Sequence, residues 1–230
     1  MEIYALQQLE GESNANFAYR SLKESILRIT LRPGEYISET QLQDYFKMSR
    51  SPIREAISIL KHEKLLDVAP KSKTQVMLIN TKQIMESRFM RCVLEREVLK
   101  ELLNKDVSKL IEQCNGILDE AEDVMKNQKL AMKLIFDYDT KFHRTVFQFA
   151  GYEFLWDMIR TTNVQYSRFL NLYVEEILYG DSFLPDHRKF LRDISRKKWK
   201  DLDEYIDQNY ARTAEYVKEL KIRHPSYFER

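Results

Sequence analysis

The chain has 230 residues, enough for one large domain or two smaller ones, with 43% hydrophobic and 32% charged residues. That balance supports a buried core beside a solvated surface, and only five Gly and five Pro favour long helices over frequent turns. A net charge of +1 announces neither a nucleic-acid nor a membrane partner, and no run approaches the roughly 20 apolar residues of a membrane span. The start, Met1-Glu2-Ile3-Tyr4, lacks the basic and apolar regions of a secretory signal. Cys92 and Cys114 show no framework spacing, so reduced thiols in a cytoplasmic protein are expected.

Residues up to about Asn14 read as a loose leader. A first helix is predicted over Asn16 to Ile29, with Phe17, Leu22, Ile26 and Leu27 apolar, and Pro33-Gly34 ends it. Ser38 caps a short second helix over Glu39 to Phe46, and Ser49 opens a third over about Arg50 to Glu63. Leu65 to Ala69 and Thr74 to Ile79 read as two strands joined by a polar tip, Pro70-Lys71-Ser72-Lys73. Beyond Thr81 only helical periodicity appears, over roughly 81–104, 106–127, 130–150, 152–179, 183–197 and 199–221. The expected fold is mainly α: a winged helix-turn-helix domain over 1–80, then an antiparallel six-helix bundle over 81–230.

The first region carries a local charge bias. Between Tyr45 and Val76 lie seven basic residues and three acidic ones, the electrostatic footprint of a phosphate-binding surface or an ordinary solvated face. Arg50 and Arg54 are one helical turn apart and share a face of the third helix. An arginine fork matches guanine O6 and N7, or a phosphate, and Lys71 and Lys73 at the wing tip can reach the backbone or the minor groove. The competing reading is that both arginines are surface residues paired with a nearby carboxylate.

The helical region carries polar groups on apolar stripes. Asp139 and His143 fall among Met132, Ile135, Phe142 and Val146; His187 falls among Phe183, Phe190 and Ile194; Asn209 falls among Ile206, Thr213 and Val217. Buried polar groups need partners, and a carboxylate, two imidazoles and an amide oxygen could together hold a divalent ion such as Zn, Ni or Mn. Each taken singly also fits a satisfied core side chain.

Two sets of residues resemble a known family. Leu31-Arg32-Pro33-Gly34, Ile37-Ser38-Glu39 and Ser49-Arg50-Ser51-Pro52-Ile53-Arg54-Glu55-Ala56-Ile57 resemble the GntR family of bacterial transcription regulators. The resemblance implies a homodimer on an inverted-repeat operator in double-stranded DNA. It places contacts on Arg50 and Arg54, with lesser ones from Ser49, Ser51, Thr40 and the wing. The wing tip lacks the family's frequent Gly, and Thr40 stands where many members have a basic residue. Arg91-Cys92-Val93-Leu94-Glu95, Asp139-Thr140-Lys141-Phe142-His143 and Asp186-His187 resemble the FCD domain of the FadR-type branch. That implies a metal on Asp139, His143 and His187 together with a small organic acid effector, with Asn209 where a third histidine is expected. Asn209 then stands as a fourth ligand or an effector contact, and metal affinity is in doubt. Arg91 either salt-bridges the effector carboxylate or pairs with Glu95. The expected function is a DNA-binding repressor rather than an enzyme; the alternative is an all-α metal-dependent hydrolase with a nucleic-acid-binding appendage.

Overall fold

The computed structural model describes residues 2–69, 73–177 and 180–229. The chain divides into two compact units, Met1–Thr81 with Leu220–Arg230, and Lys82–Glu219.

In the first unit, α1 spans Asn14–Leu27, earlier than its periodicity predicts, because the Ser13 hydroxyl accepts the Asn16 N–H at 3.2 Å and caps the helix. Ser38 caps α2 (Glu39–Phe46) in a reciprocal capping box with Gln41. Ser49 precedes α3 (Arg50–His62), but its hydroxyl makes no capping bond. Ala18, Leu22 and Ile26 of α1 and Ile53, Ala56 and Leu60 of α3 are fully shielded from solvent, and the two helices pack together. β2 (Leu66–Ala69) and β3 (Lys73–Val76) form the expected hairpin, Leu66 facing Val76. A third strand, β1 (Tyr36–Ile37), pairs antiparallel with β3, giving the order β1-β3-β2. Gly34 turns the chain into β1 at φ +81°, where a side chain is strained, and its N–H donates to the Val76 carbonyl at 2.9 Å.

The leader is not loose. Ile3 is buried, the Tyr4 N–H donates to Ser25 Oγ at 2.9 Å, and Glu12 receives Arg20 Nε at 2.9 Å and Nη2 at 2.7 Å. Ile3 anchors a polar segment whose local composition signals disorder, because its apolar partners are distant in sequence. The chain's far end joins the same unit. The Ile79 N–H donates to the Tyr227 carbonyl at 2.8 Å, the Glu229 N–H donates back to Ile79 at 3.0 Å, and Phe228 is buried.

Seven helices follow Asn80 among the described residues: α4 (Thr81–Leu102), α5 (Ser108–Met125), α6 (Gln128–Ala150), α7 (Glu153–Thr162), α8 (Val164–Ile177), α9 (Gly180–Ser195) and α10 (Trp199–Arg223). One more helix appears than the six expected, because the stretch 152–179 breaks at Asn163. Thr161 and Thr162 bond back to carbonyls of the preceding turn, and the buried Asn163 leaves helical geometry and offers its carbonyl to the Ser167 N–H. The centre of the second unit is α6, against which α5, α7, α8 and α9 all pack. Phe142 and Phe147 of α6, Cys114 and Leu118 of α5 and Phe183 of α9 fill the core. Cys92 and Cys114 are both buried and free, and burial pushes the Cys114 thiol up to about 12.

Because Leu60 is wholly enclosed where α1 meets α3, Leu60→Ala should cost about 2–5 kcal/mol through lost transfer energy and a residual cavity. A lower denaturant midpoint by circular dichroism checks this. A change under about 0.5 kcal/mol, the size of an ordinary surface substitution, would mean the packing described is wrong.

Candidate functional site

The first site is a face of the first unit. Thr40 near the start of α2 and Ser49, Arg50, Ser51 and Arg54 at the start of α3 are all exposed. The two arginines are held by one residue that the sequence reading passed over. Glu39 Oε2 accepts Arg50 Nε at 2.7 Å and Arg54 Nε at 3.1 Å, and Glu39 Oε1 receives Arg54 Nε at 3.2 Å. Hydrogen bonding from Arg50 is the largest influence and, with a lesser contribution from Arg54, holds the Glu39 carboxyl below its usual range against burial, which works the other way. The paired-carboxylate reading of the arginines is therefore correct as a contact, yet both guanidiniums remain more than half exposed. The acid fixes two long side chains side by side while their other nitrogens stay available. In sequence, Glu39 looks only like the acidic first-turn residue that helices favour. Lys71 lies outside the described residues; the Lys73 backbone begins β3, and its side chain lies outside them too.

The second site is buried in the second unit. Asp139, His143 and His187 each offer a ligand atom, and these atoms lie within 4.8 Å of one another. The α6 pair comes from i,i+4 spacing; α9 supplies His187. Asp139 Oδ1 lies 3.3 Å from His187 Nε2 and 3.8 Å from His143 Nε2. His187 Nδ1 donates to the Phe183 carbonyl at 2.8 Å, one turn earlier on α9, which fixes the proton on Nδ1. In that tautomer its Nε2 is a lone pair, buried and without a hydrogen-bond partner among the described residues, facing a carboxylate oxygen. His143 repeats the pattern, with Nδ1 turned toward Glu95 Oε1 at 3.3 Å. Acceptor facing acceptor in a dry interior is an arrangement that a cation resolves, and outward Nδ1 atoms held by a carbonyl and a carboxylate are the usual supports of metal-binding imidazoles. Burial, with Arg91 adding to it, pushes His143 down to about 3, so its ring is neutral at physiological pH. Burial alone would raise Asp139, but His143, His187 and Arg91 together hold its carboxyl well below the usual range. A carboxylate and two imidazoles fit a divalent ion and leave coordination positions open.

Around this cluster Arg91 Nε donates to Glu95 Oε1 at 2.7 Å, and its guanidinium lies 5.3 Å over the Trp156 ring. Of the two roles weighed for Arg91, the structure displays the Glu95 pair. Asn209 is half-buried; its Nδ2 donates to the Tyr205 carbonyl at 2.9 Å, and its Oδ1 accepts Arg212 Nη2 at 2.9 Å. It lines a cavity that His187 also lines. Arg88, Tyr205 and Arg212 line the same cavity and were not singled out from sequence. Tyr205 sits one turn before Asn209, and burial, with Asp139 and Glu95 nearby, raises its hydroxyl. As a tyrosine on an amphipathic helix it carries no signal that separates a cavity wall from a core side chain.

Comparison with known proteins identifies both units. The gntR family model of bacterial regulatory proteins matches residues 14–76, and the FCD domain model matches residues 86–210. The chain is 24% identical over 204 residues to the HTH-type transcriptional regulator YdhC of Bacillus subtilis, covering 88% of this chain and 90% of that protein. It is 21% identical over 210 residues to the HTH-type transcriptional repressor RspR of Escherichia coli, covering 91% of each. It is 25% identical over 223 residues to the gluconate operon transcriptional repressor of Bacillus subtilis, covering 95% of this chain and 90% of that protein. The solved structure of E. coli McbR/YncC shares the fold at a TM-score of 0.67 and 19% identity, covering 90% of this chain and 99% of that one. These matches are to transcription regulators and not to enzymes, and nothing in them supports the hydrolase alternative. The chain belongs to the GntR family of bacterial transcription regulators, in the branch that carries an FCD domain.

Proposed function

We propose that this regulator binds an inverted-repeat operator as a homodimer, represses from it, and changes its DNA affinity when the helical unit takes up a small organic acid. The observation that carries the reading is the pair Arg50 and Arg54, exposed side by side on Glu39 at the start of α3. A prefixed pair of forks loses less side-chain freedom on meeting base edges than two free arginines. Thr40, Ser49 and Ser51 border the pair and suit phosphate contacts, as do the backbone N–H groups at the head of α3. Lys71 and Lys73 complete the reading as wing contacts. Repression is favoured by the names of two relatives, both repressors.

The dimer is supported by apolar pairs left open to solvent: Phe89 and Val93 on α4, and Phe154 and Met158 on α7, with Phe89 at 61% and Phe154 at 74% exposure. Pairs one turn apart on a helix are the kind of surface that self-association covers. Asp139, His143 and His187 are assigned to a divalent ion, zinc, nickel or manganese, and Asn209 to the effector side of the cavity beside them. Effector and operator are then coupled through their differential affinity for two arrangements of the protein. A protein acting on chromosomal DNA works in the cytoplasm, and no helix among the described residues is long and apolar enough to cross a membrane.

Fluorescence anisotropy on the chain's own promoter region, at fixed salt, tests the DNA reading. Arg54→Ala should weaken specific binding by about 1–3 kcal/mol, roughly 5- to 150-fold, while helical content is unchanged. Equal affinity for wild type and variant removes Arg54 from the interface. Elemental analysis tests the metal reading. About one divalent ion per chain is expected, with most of it lost in Asp139→Ala; the same content in both proteins would take Asp139 off the ligand set.

A further inference from the structure

The cavity beside the buried cluster contains a cation that its surroundings do not satisfy. Arg88, on α4, is 5% exposed and lines the cavity together with Tyr166, Tyr173, His187, Tyr205 and Tyr216. Its Nε and Nη1 have no hydrogen-bond partner among the described residues. The carboxylate paired with it, Glu95, stands off at 3.8 Å and is already engaged by Arg91 at 2.7 Å and His143 Nδ1 at 3.3 Å. The other cation lining this cavity is committed elsewhere, Arg212 Nη1 donating to Asp186 Oδ2 at 2.8 Å and Nη2 to Asn209. A buried guanidinium with idle donors is costly, and an anion is the group that relieves it.

The rest of the wall says what the anion is attached to. Tyr166 lies under the Arg88 guanidinium, 5.8 Å from ring centre to Cζ, and Tyr173 and Tyr216 are stacked with ring centres 4.2 Å apart. Phe169 and Phe183 complete a lining rich in flat faces. Such a wall offers stacking and edge contacts to another ring and little to a short polar chain.

The geometry points to an aromatic carboxylic acid as the effector class, its carboxylate on Arg88 rather than Arg91 and its ring among Tyr166, Tyr173 and Tyr216. This rests on the helical unit being an effector domain, as proposed above. Arg91 and Glu95 neutralise each other in place; Arg88 supplies the charge that ligand entry uses. The aromatic side chains then discriminate by shape, and the guanidinium by sign.

Isothermal titration of the full-length protein with benzoate, benzamide, cyclohexanecarboxylate and acetate tests the assignment. Benzoate should bind more tightly than each of the others, by about tenfold or more over benzamide, which has the same outline without the charge. Arg88→Gln should weaken benzoate by a similar factor, and Tyr216→Leu should weaken benzoate while sparing cyclohexanecarboxylate. The ligand series on wild type decides the question even if a variant fails to fold. Equal binding of benzoate and benzamide, or of benzoate and acetate, overturns it. Acid binding that survives Arg88→Gln overturns the inference and leaves the effector reading standing. No binding by any acid, with operator affinity unmoved, removes both.

Discussion

Two carboxylates and two guanidiniums share one buried neighbourhood in the helical unit, and their cancellation is the constraint on which the site depends. Glu95 and Asp139 are anionic, Arg88 and Arg91 cationic, and all four are nearly sealed from water. Ions so enclosed are tolerable only when their charges offset one another at short range. Burial works against the carboxylates, yet Arg91 acting on Glu95, and His143, His187 and Arg91 acting on Asp139, keep both ionised. Burial, with Arg91 adding to it, outweighs the pull of Asp139 and Glu95 for a proton on His143, and its ring stays neutral. A neutral His143 ring beside a fixed carboxylate can serve as a ligand; the same ring protonated would only be a salt bridge. Whether this pocket can take a cation is thus decided by α4, a helix that contributes none of the three ligands.

The DNA-reading face uses the same device at the surface. Glu39 spends its hydrogen-bonding capacity on two arginines, and that choice has a cost as well as a use. A carboxylate near phosphates is repelled by them, so Glu39 suits the interface only while it is neutralised by Arg50 and Arg54. The acid therefore reduces the net charge presented to DNA and sharpens its placement. Such a trade favours discrimination between sequences over raw affinity, since diffuse charge grips any duplex equally.

Much of this was legible in the amino-acid order. The 3.6-residue spacing located the helices, and Ser38 announced the cap of α2. Asp139 and His143 were visible as polar residues at i and i+4 on an apolar stripe, and His187 as a histidine between phenylalanines. What stayed hidden depends on contacts between distant residues. Ile3 belongs to the core only through segments folded from elsewhere, β1 is too short for alternation to register, and Asn163 resembles any other polar residue in a helical run. Glu39 and Glu95 had ordinary local explanations, a first-turn acid and an i,i+4 partner, which concealed that each also joins two functional groups. Arg88 gave no signal at all, because an unsatisfied donor is defined by what fails to surround it.

The strand-like contact of Ile79 with Tyr227 and Glu229 joins residues far apart in sequence, Asn80 and Glu229 being separated by 149 positions. The helical unit is thereby an insertion within the DNA-reading unit, opened after Thr81 and closed at Leu220. Translation runs from one end, so the DNA-reading unit begins first and is completed last. The buried Phe228 joins its core only after the helical unit between has been made. A chain cut within the helical unit therefore lacks the segment that pairs with Ile79, however well the part before the cut can fold.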